Sequence, residues 1–522
     1  MTNDSKISGD SLHSDTPVSA REVLIVVLAA AALVALGAWW AYASGSILYS
    51  GDAQAHLSIS RSLVDSRTHS FQIGNVWLPV LHLICAPFAE NDFLWRSGLA
   101  GTLPVAACFL VAIAFFYAAA REIYGSVLPA AITVVCFALN PNLLYLAATP
   151  MTEVVFFAGA AVQLWALLRF RRTQRFGYVL LAGAGSIWCS LTRYDGWFLI
   201  PFVALAFFLF SRRGGWKPAL LFAALASIAP LYWFAHNWWV SGDALSFYRG
   251  PYSAKAIYER GLRAGQRRDP GDHHLLVAIE YYLTAGRWVI GWPLLLIGAA
   301  GIVAAVTKRK SAAILFLVLT PCFYVLAMYS SGNPIHVPSL WPFSYYNTRY
   351  AIALLPLCAF GAGALVLALP KRAANFAWVL PLVAVLPWIA HPSHEQWICW
   401  KEAEHNSVSR RFWTAEVAQF FERNYRQGEG ILYADGDVPA VFARANISLG
   451  ETISPGDGIL WMVNNYHPEV LRMCKWAVVL EMPTRDPLAV PMNRASGKEK
   501  AYEPVLEVHT KYDPVVRVYR RR

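Results

Sequence analysis

The sequence predicts a polytopic α-helical membrane protein of about eleven spans, followed by a small external α/β domain. Three observations carry that prediction. Hydrophobic residues make up 57% of the 522 positions and charged residues 15%, and the mean hydropathy is +0.39, the balance of a chain that sits mostly in a bilayer. Long apolar runs recur along the chain and stop near residue 391. Beyond that point short apolar strand-like runs alternate with a helical pattern, which marks an α/β unit.

Residues 1–21 form a polar N-terminus, rich in Ser and Asp, that is expected to be disordered. The first apolar run, Val23 to Ala43, is longer than a signal-peptide core and has no convincing cleavage pattern after it, so it is expected to be retained as the first span. The piece Val76–Phe88 carries His82 and two prolines and is too short to span, which suits an interfacial or re-entrant segment. Further spans are expected at 98–120, 127–148, 152–170, 178–192, 196–210, 218–235, 286–306, 312–329, 350–370 and 374–391. Residues 22–392 thus form the transmembrane domain and residues 393–522 the external one. In the latter, Glu416–Arg423 reads as part of an amphipathic helix, and Gly430–Ala434 and Trp476–Leu480 read as strands. Val505–His509 and Val515–Tyr519 suit a hairpin around Asp513-Pro514.

The formal charge of +11 does not point to nucleic acid, because much of the excess lies in short clusters between apolar runs. Arg169–Arg175, Arg212–Lys217, Lys308–Lys310 and Lys371-Arg372 hold twelve Lys or Arg and no acid, and the span count puts all four on one side. By the positive-inside rule that side is the cytoplasm, with the N-terminus on it and the chain after 392 outside. The 236–285 loop breaks the rule, carrying Arg249, Lys255, Arg260, Arg263, Arg267 and Arg268 on the external side. Such a loop suits a mobile lid over an anionic ligand, or else a solvated basic loop. The eight cysteines include no CxxC pair; six lie in apolar stretches as small core residues, and Cys399 and Cys474 could pair.

The residues that invite a chemical explanation are few. Ser50-Gly51-Asp52-Ala53-Gln54-Ala55-His56 follows the first span, with Asp52 and His56 four apart and so on one face of a helix. Glu153 begins a span, Arg193 lies in a tight turn beside Asp195, and Arg349 opens a late span. Each has an ordinary explanation: dipole pairing for Glu153, local pairing for Arg193 and snorkelling for Arg349. Together they put two carboxylates and two arginines at the outer ends of helices from opposite halves of the chain. Transfer from a lipid-linked, phosphate-activated donor needs such a set. Guanidinium groups hold the phosphate and its developing charge, and a carboxylate takes the proton of an acceptor hydroxyl.

Across roughly 22–392, Gly51-Asp52-Ala53, Trp77-Leu78-Pro79 with His82, Met151-Thr152-Glu153 and Thr192-Arg193-Tyr194-Asp195-Gly196-Trp197 resemble the GT-C superfamily of integral-membrane glycosyltransferases. The likeness is to family-39-type members, the group that includes protein O-mannosyltransferases and the aminoarabinose transferases of lipid A. Position 53, acidic in the protein mannosyltransferases, is Ala53 here. The resemblance implies a GT-C fold and a sugar transfer with inversion from a polyprenyl-phosphate-linked donor to a lipid, glycan or protein acceptor. The reaction would take place at the outer face of the inner (plasma) membrane. The resemblance maps Asp52 to the catalytic acid of the first outer loop and Glu153 to the acidic position of the second. On this reading of the residues Asp52 is the general base, Arg193, Arg349 and Arg249 lie at the donor phosphate, and His56 and Glu153 position the acceptor or a divalent cation. No cofactor is required by the sequence. The alternative is a polytopic transporter of a lipid-linked or anionic substrate, which would place its charges near mid-bilayer.

Overall fold

The computed structural model describes residues 18–69, 72–212, 215–307, 311–330, 333–391, 396–471, 473–482, 486–511 and 515–522. The basic cluster Lys308–Lys310 and the expected Asp513-Pro514 turn fall outside them. The chain is a multi-pass membrane protein. Among the described residues five helices are long and apolar enough to cross a bilayer: Ala20–Ala43, Leu99–Tyr124, Thr152–Thr173, Trp216–Ser241 and Thr348–Ala368. Two bent pairs raise that number to seven if each is one span. Four other expected spans appear as shorter apolar helices, Phe176–Ser190, Asp195–Phe210, Ala313–Tyr329 and Val379–Ala390.

The bent pairs depart from the simple spans expected. Val127–Ala138 turns by 69° into Pro141–Ala147, and Leu275–Ile290 turns by 109° into Trp292–Thr307. Gly291 allows the second bend, with φ at +83°, a backbone conformation that side chains disfavour. Breaking a helix in a membrane strands backbone carbonyls, and neighbouring amides satisfy them. Asn140 and Asn142 do so here, donating to the Val289 carbonyl at 2.8 and 3.1 Å. The two breaks therefore brace each other. Residues 275–285, expected in the external loop, are helical instead. Behind them the helices Trp292–Thr307 and Leu355–Ala368 approach so closely that a Cβ at Gly301 would lie 1.7 Å from the Gly361 carbonyl oxygen. Small residues at such a crossing are how membrane helices pack.

After the last apolar helix comes Ile398–Asn424, of 27 residues. Its first turn belongs to the membrane core through Ile398, Cys399, Trp400 and Ala403, and the Asn142 side chain accepts from the Cys399 amide at 3.0 Å. Its far half supplies Trp413, Val417 and Phe421 to a second core beneath a sheet. The strands are β1 (Ile431–Tyr433), β2 (Thr452–Ile453), β3 (Trp476–Leu480), β4 (Tyr502–Val508) and β5 (Val516–Arg521), in the order β2-β1-β3-β5-β4. β1 runs parallel to β2 and β3, and β5 runs antiparallel to β3 and β4. β1 and β3 are buried throughout, as central strands covered on both faces are.

The sheet is docked onto the segment after the first span. Asp65 accepts from the Leu449 and Gly450 amides at 3.0 Å each and from Ser448 Oγ at 2.5 Å. Thr68 Oγ1 donates to Asp457 at 2.9 Å. Burial would raise the Asp65 pKa, but its bonds from Ser448 and the Gly450 amide and the Arg61 guanidinium hold it below the usual carboxylate range. All eight cysteines are free, and Cys399 and Cys474 lie in different cores, so the pairing left open by the sequence does not form.

Candidate active site

Five parts of the chain bring the charged residues together. Ser50 in extended conformation precedes the helix Gly51–Ser62, so Asp52 falls in its first turn, where the backbone amides favour an anion. Thr152–Thr173 presents Glu153 in its first turn. The tight turn before Asp195–Phe210 presents Arg193. The 3-10 turn Thr348–Leu354 presents Arg349, and Ile398–Asn424 presents Glu402.

Their side chains form one chain of alternating charge. Arg349 Nη2 meets Asp52 Oδ2, and Arg349 Nε is 3.2 Å from Glu153 Oε1. The same oxygen is 3.1 Å from Arg193 Nη1. Arg193 Nε is in turn 3.4 Å from Asp195 Oδ1. Tyr324 closes this end, accepting from Arg193 and donating to Asp195 Oδ2 at 3.0 Å. The Tyr350 ring lies under both guanidiniums, 5.2 Å from Arg193 Cζ and 4.9 Å from Arg349 Cζ, within cation–π range. With Glu402 near Arg349 Nη1, four carboxylates face two arginines.

Burial separates the members. Glu153 is 3% exposed and the Asp52 side chain 40%. Asp52 is the end of the chain that opens outward. It lines a cavity of about 1000 Å³ with Arg349, Tyr350 and Glu402. One Glu153 oxygen, Oε2, is buried with no hydrogen-bond partner among the described residues, which leaves an acceptor free inside the cluster.

Glu402 was not among the expected site residues. It accepts from the Asn347 and Thr348 amides at 2.8 Å each and lies 3.5 Å from Arg349 Nη1. It therefore fixes the turn that carries Arg349 as well as the guanidinium itself. Tyr324 and Tyr350 were likewise unforeseen.

The expected site residues divide. Asp52, Glu153, Arg193 and Arg349 are brought into one network. His56 is buried beside it on the Asp52 helix, its Nδ1 2.9 Å from His82 Nε2 and its ring 4.5 Å from Trp77. Burial first, and then the charges of Arg349 and Arg193, push its pKa down to about 3, so it stays neutral. Arg249 is not brought in: its guanidinium pairs with Asp243 at 2.7 Å on the exposed surface. Its segment nevertheless reaches the cavity through Tyr252, Ile257, Tyr258 and Asp269. That segment holds the helix Ala254–Arg263, and Tyr258 anchors it by donating to Asp272 at 3.0 Å and accepting from the Asp269 amide.

Comparison with known proteins bears on this geometry. The profile of the family described as Dolichyl-phosphate-mannose-protein mannosyltransferase matches residues 94–239. A search of curated proteins finds no match. Among solved structures the chain is similar to ArnT from Cupriavidus metallidurans bound to undecaprenyl phosphate, with a TM-score of 0.58 and 14% identity over 96% of this chain and 98% of that one. It is equally similar to the same protein in the apo state, at a TM-score of 0.57 and 15% identity over the same shares. The fold is therefore that of ArnT, in keeping with the fold that the sequence motifs implied.

Proposed function

We propose that the chain is a glycosyltransferase that moves a sugar from a polyprenyl-phosphate-linked donor to an acceptor hydroxyl, with inversion, at the outer face of the inner membrane. The observation that carries this is the Asp52–Arg349–Glu153–Arg193 network opening on a large cavity. The fold and the family match support the same reading. The ArnT structure holds undecaprenyl phosphate, the class of lipid such a donor would release.

In this scheme the donor phosphate takes Arg349, with Arg193 behind it, and loosens Arg349 from Asp52. Binding of the donor thus frees the base. Asp52 accepts the proton of the acceptor hydroxyl as its oxygen attacks the anomeric carbon. The bond from that carbon to the phosphate oxygen breaks, and the polyprenyl phosphate leaves with its charge on the guanidiniums. In this scheme Glu153, between the arginines, and His56, one turn along the Asp52 helix, hold the arrangement.

A divalent cation fits less well. Asp52 and Glu153 each carry a guanidinium, His56 turns to His82, and no group of three His, Cys, Asp or Glu placed to hold an ion occurs among the described residues. No step here passes through one.

The test is reconstitution of the purified protein with radiolabelled polyprenyl-phosphate sugars and membranes from a strain lacking the gene. Transfer of label to those membranes, and loss of a surface glycan or glycoprotein in that strain by mass spectrometry, would support the reading. Absence of both would sink it. Orientation is checked separately. Reporters active in one compartment, fused at residues 310 and 395, should give opposite signals, with the N-terminus and residue 310 cytoplasmic.

A further inference from the structure

The cavity in front of Asp52 measures about 1000 Å³, the upper end of the roughly 300–1,000 Å³ usual for small-molecule sites. One donor sugar and a single side-chain hydroxyl would leave much of it empty. Its walls carry aromatic and amide side chains beside three acids and two arginines. Tyr252, Tyr345 and Tyr346 line it from two separate segments, and Gln266, Asn333 and Asn406 lie among them. Tyr252 and Tyr346 are 57% and 48% exposed, so large parts of their rings are free to be covered by a ligand. Asn406 donates one of its two amide hydrogens to the Tyr345 carbonyl at 2.9 Å, which keeps that tyrosine in place.

The charge inventory argues against an anionic acceptor. Two arginines line the cavity, Arg349 and Arg410. Arg349 serves the catalytic network. Arg410 donates to the Leu48 and Tyr49 carbonyls and lies 3.4 Å from Asp437. Against them stand Asp52, Asp269 and Glu402. An acceptor bearing several phosphates would meet a wall with more acids than arginines.

Building on the transfer reading above, we infer that the acceptor is a neutral saccharide of more than one unit. Its apolar ring faces lie on the tyrosines and its hydroxyls bond the amides. Aromatic rings with a polar handle suit a ligand that is apolar on its faces and polar at its rim. One such hydroxyl, presented at Asp52, supplies the attacking oxygen and gives Asp52 its proton, while the polyprenyl phosphate departs.

The test uses full-length protein in nanodiscs loaded with undecaprenyl phosphate. It is challenged with short neutral oligosaccharides, Ser/Thr-rich peptides and a phosphorylated glycolipid. Oligosaccharides should bind, and Tyr346→Ala and Tyr252→Ala should each weaken that binding by up to about tenfold while leaving undecaprenyl phosphate binding intact. Retention of peptides or the phosphorylated glycolipid instead, or of none of the three, overturns the inference. So do tyrosine variants that bind oligosaccharides as well as wild type. Failure of the wild-type protein to bind undecaprenyl phosphate would be a different result, striking at the donor reading itself.

Discussion

The cluster around Glu153 and the 236–285 segment border the same cavity and both carry arginines, but they differ in what surrounds those arginines. In the cluster, the side chains of Arg193 and Arg349 are 13% and 12% exposed and touch two or more carboxylates each. In the segment, Arg249, Arg263 and Arg268 are 63%, 77% and 66% exposed, each paired with one nearby acid. A mobile exposed guanidinium pays entropy for every ligand it grips, whereas a buried one with fixed partners is already aimed. Density of positive charge along the chain marks a segment near the site. Burial with shared partners marks the proposed site itself.

The largest effect should follow from the exposed end of the network. Asp52→Asn keeps the size of the side chain and removes the proposed base, and transfer should fall by about 10²–10⁴ while undecaprenyl phosphate still binds. Near wild-type transfer by the purified variant would remove Asp52 from the mechanism. Next, Arg193→Ala strands Asp195 in a buried place and leaves Glu153 to Arg349 alone, and breaking a buried pair typically costs about 3–5 kcal/mol. A clear drop in thermal unfolding temperature in detergent would check this, and an unchanged one would mean the cluster is wetter than its exposures imply. Glu402→Gln keeps the shape but loses the charge facing Arg349 and the turn amides. Weaker hydrogen bonds there should cost about 1–3 kcal/mol, read as slower transfer with an intact fold. If the rate is unchanged, Glu402 only supports the helix. The smallest effect concerns His56. Its folded pKa of about 3 lies below the usual value, near 6.5 in an unfolded chain. The unfolded state therefore gains the proton first as pH falls. Stability from neutral His56 is full above pH ~6.5 and declines from there toward pH ~3. Thermal unfolding between those limits should fall more steeply for wild type than for His56→Asn, and parallel curves would show that His56 does not titrate as its burial requires.

How much of this was legible in the sequence follows from the same contrast. Asp52, Glu153, Arg193 and Arg349 stand out because each is a charge at the edge of an apolar run. Glu402 does not. It sits among Lys401, Glu404 and His405, and nothing in that company announces that it is 7% exposed. Tyr324 lies inside an apolar run, where a hydroxyl leaves no periodic trace. The bend at Gly291 was hidden by a continuous apolar pattern, although Gly291-Trp292-Pro293 is the kind of triplet that breaks helices. In the sheet, β3 and the β4–β5 hairpin were readable from their strand-like runs, while β2, Thr452–Ile453, is too short for any pattern. The basic 236–285 segment was readable as unusual, but Arg249 finds Asp243 rather than the network.

The most direct test is a side-by-side titration of undecaprenyl phosphate into wild-type protein, Arg349→Ala and Arg249→Ala, reconstituted alike. The buried network predicts that Arg349→Ala loses binding by at least about tenfold, as loss of a charged hydrogen-bonding partner does, and that Arg249→Ala binds as wild type does. Loss of binding in Arg249→Ala with full binding in Arg349→Ala would contradict the account and return the phosphate to the exposed loop.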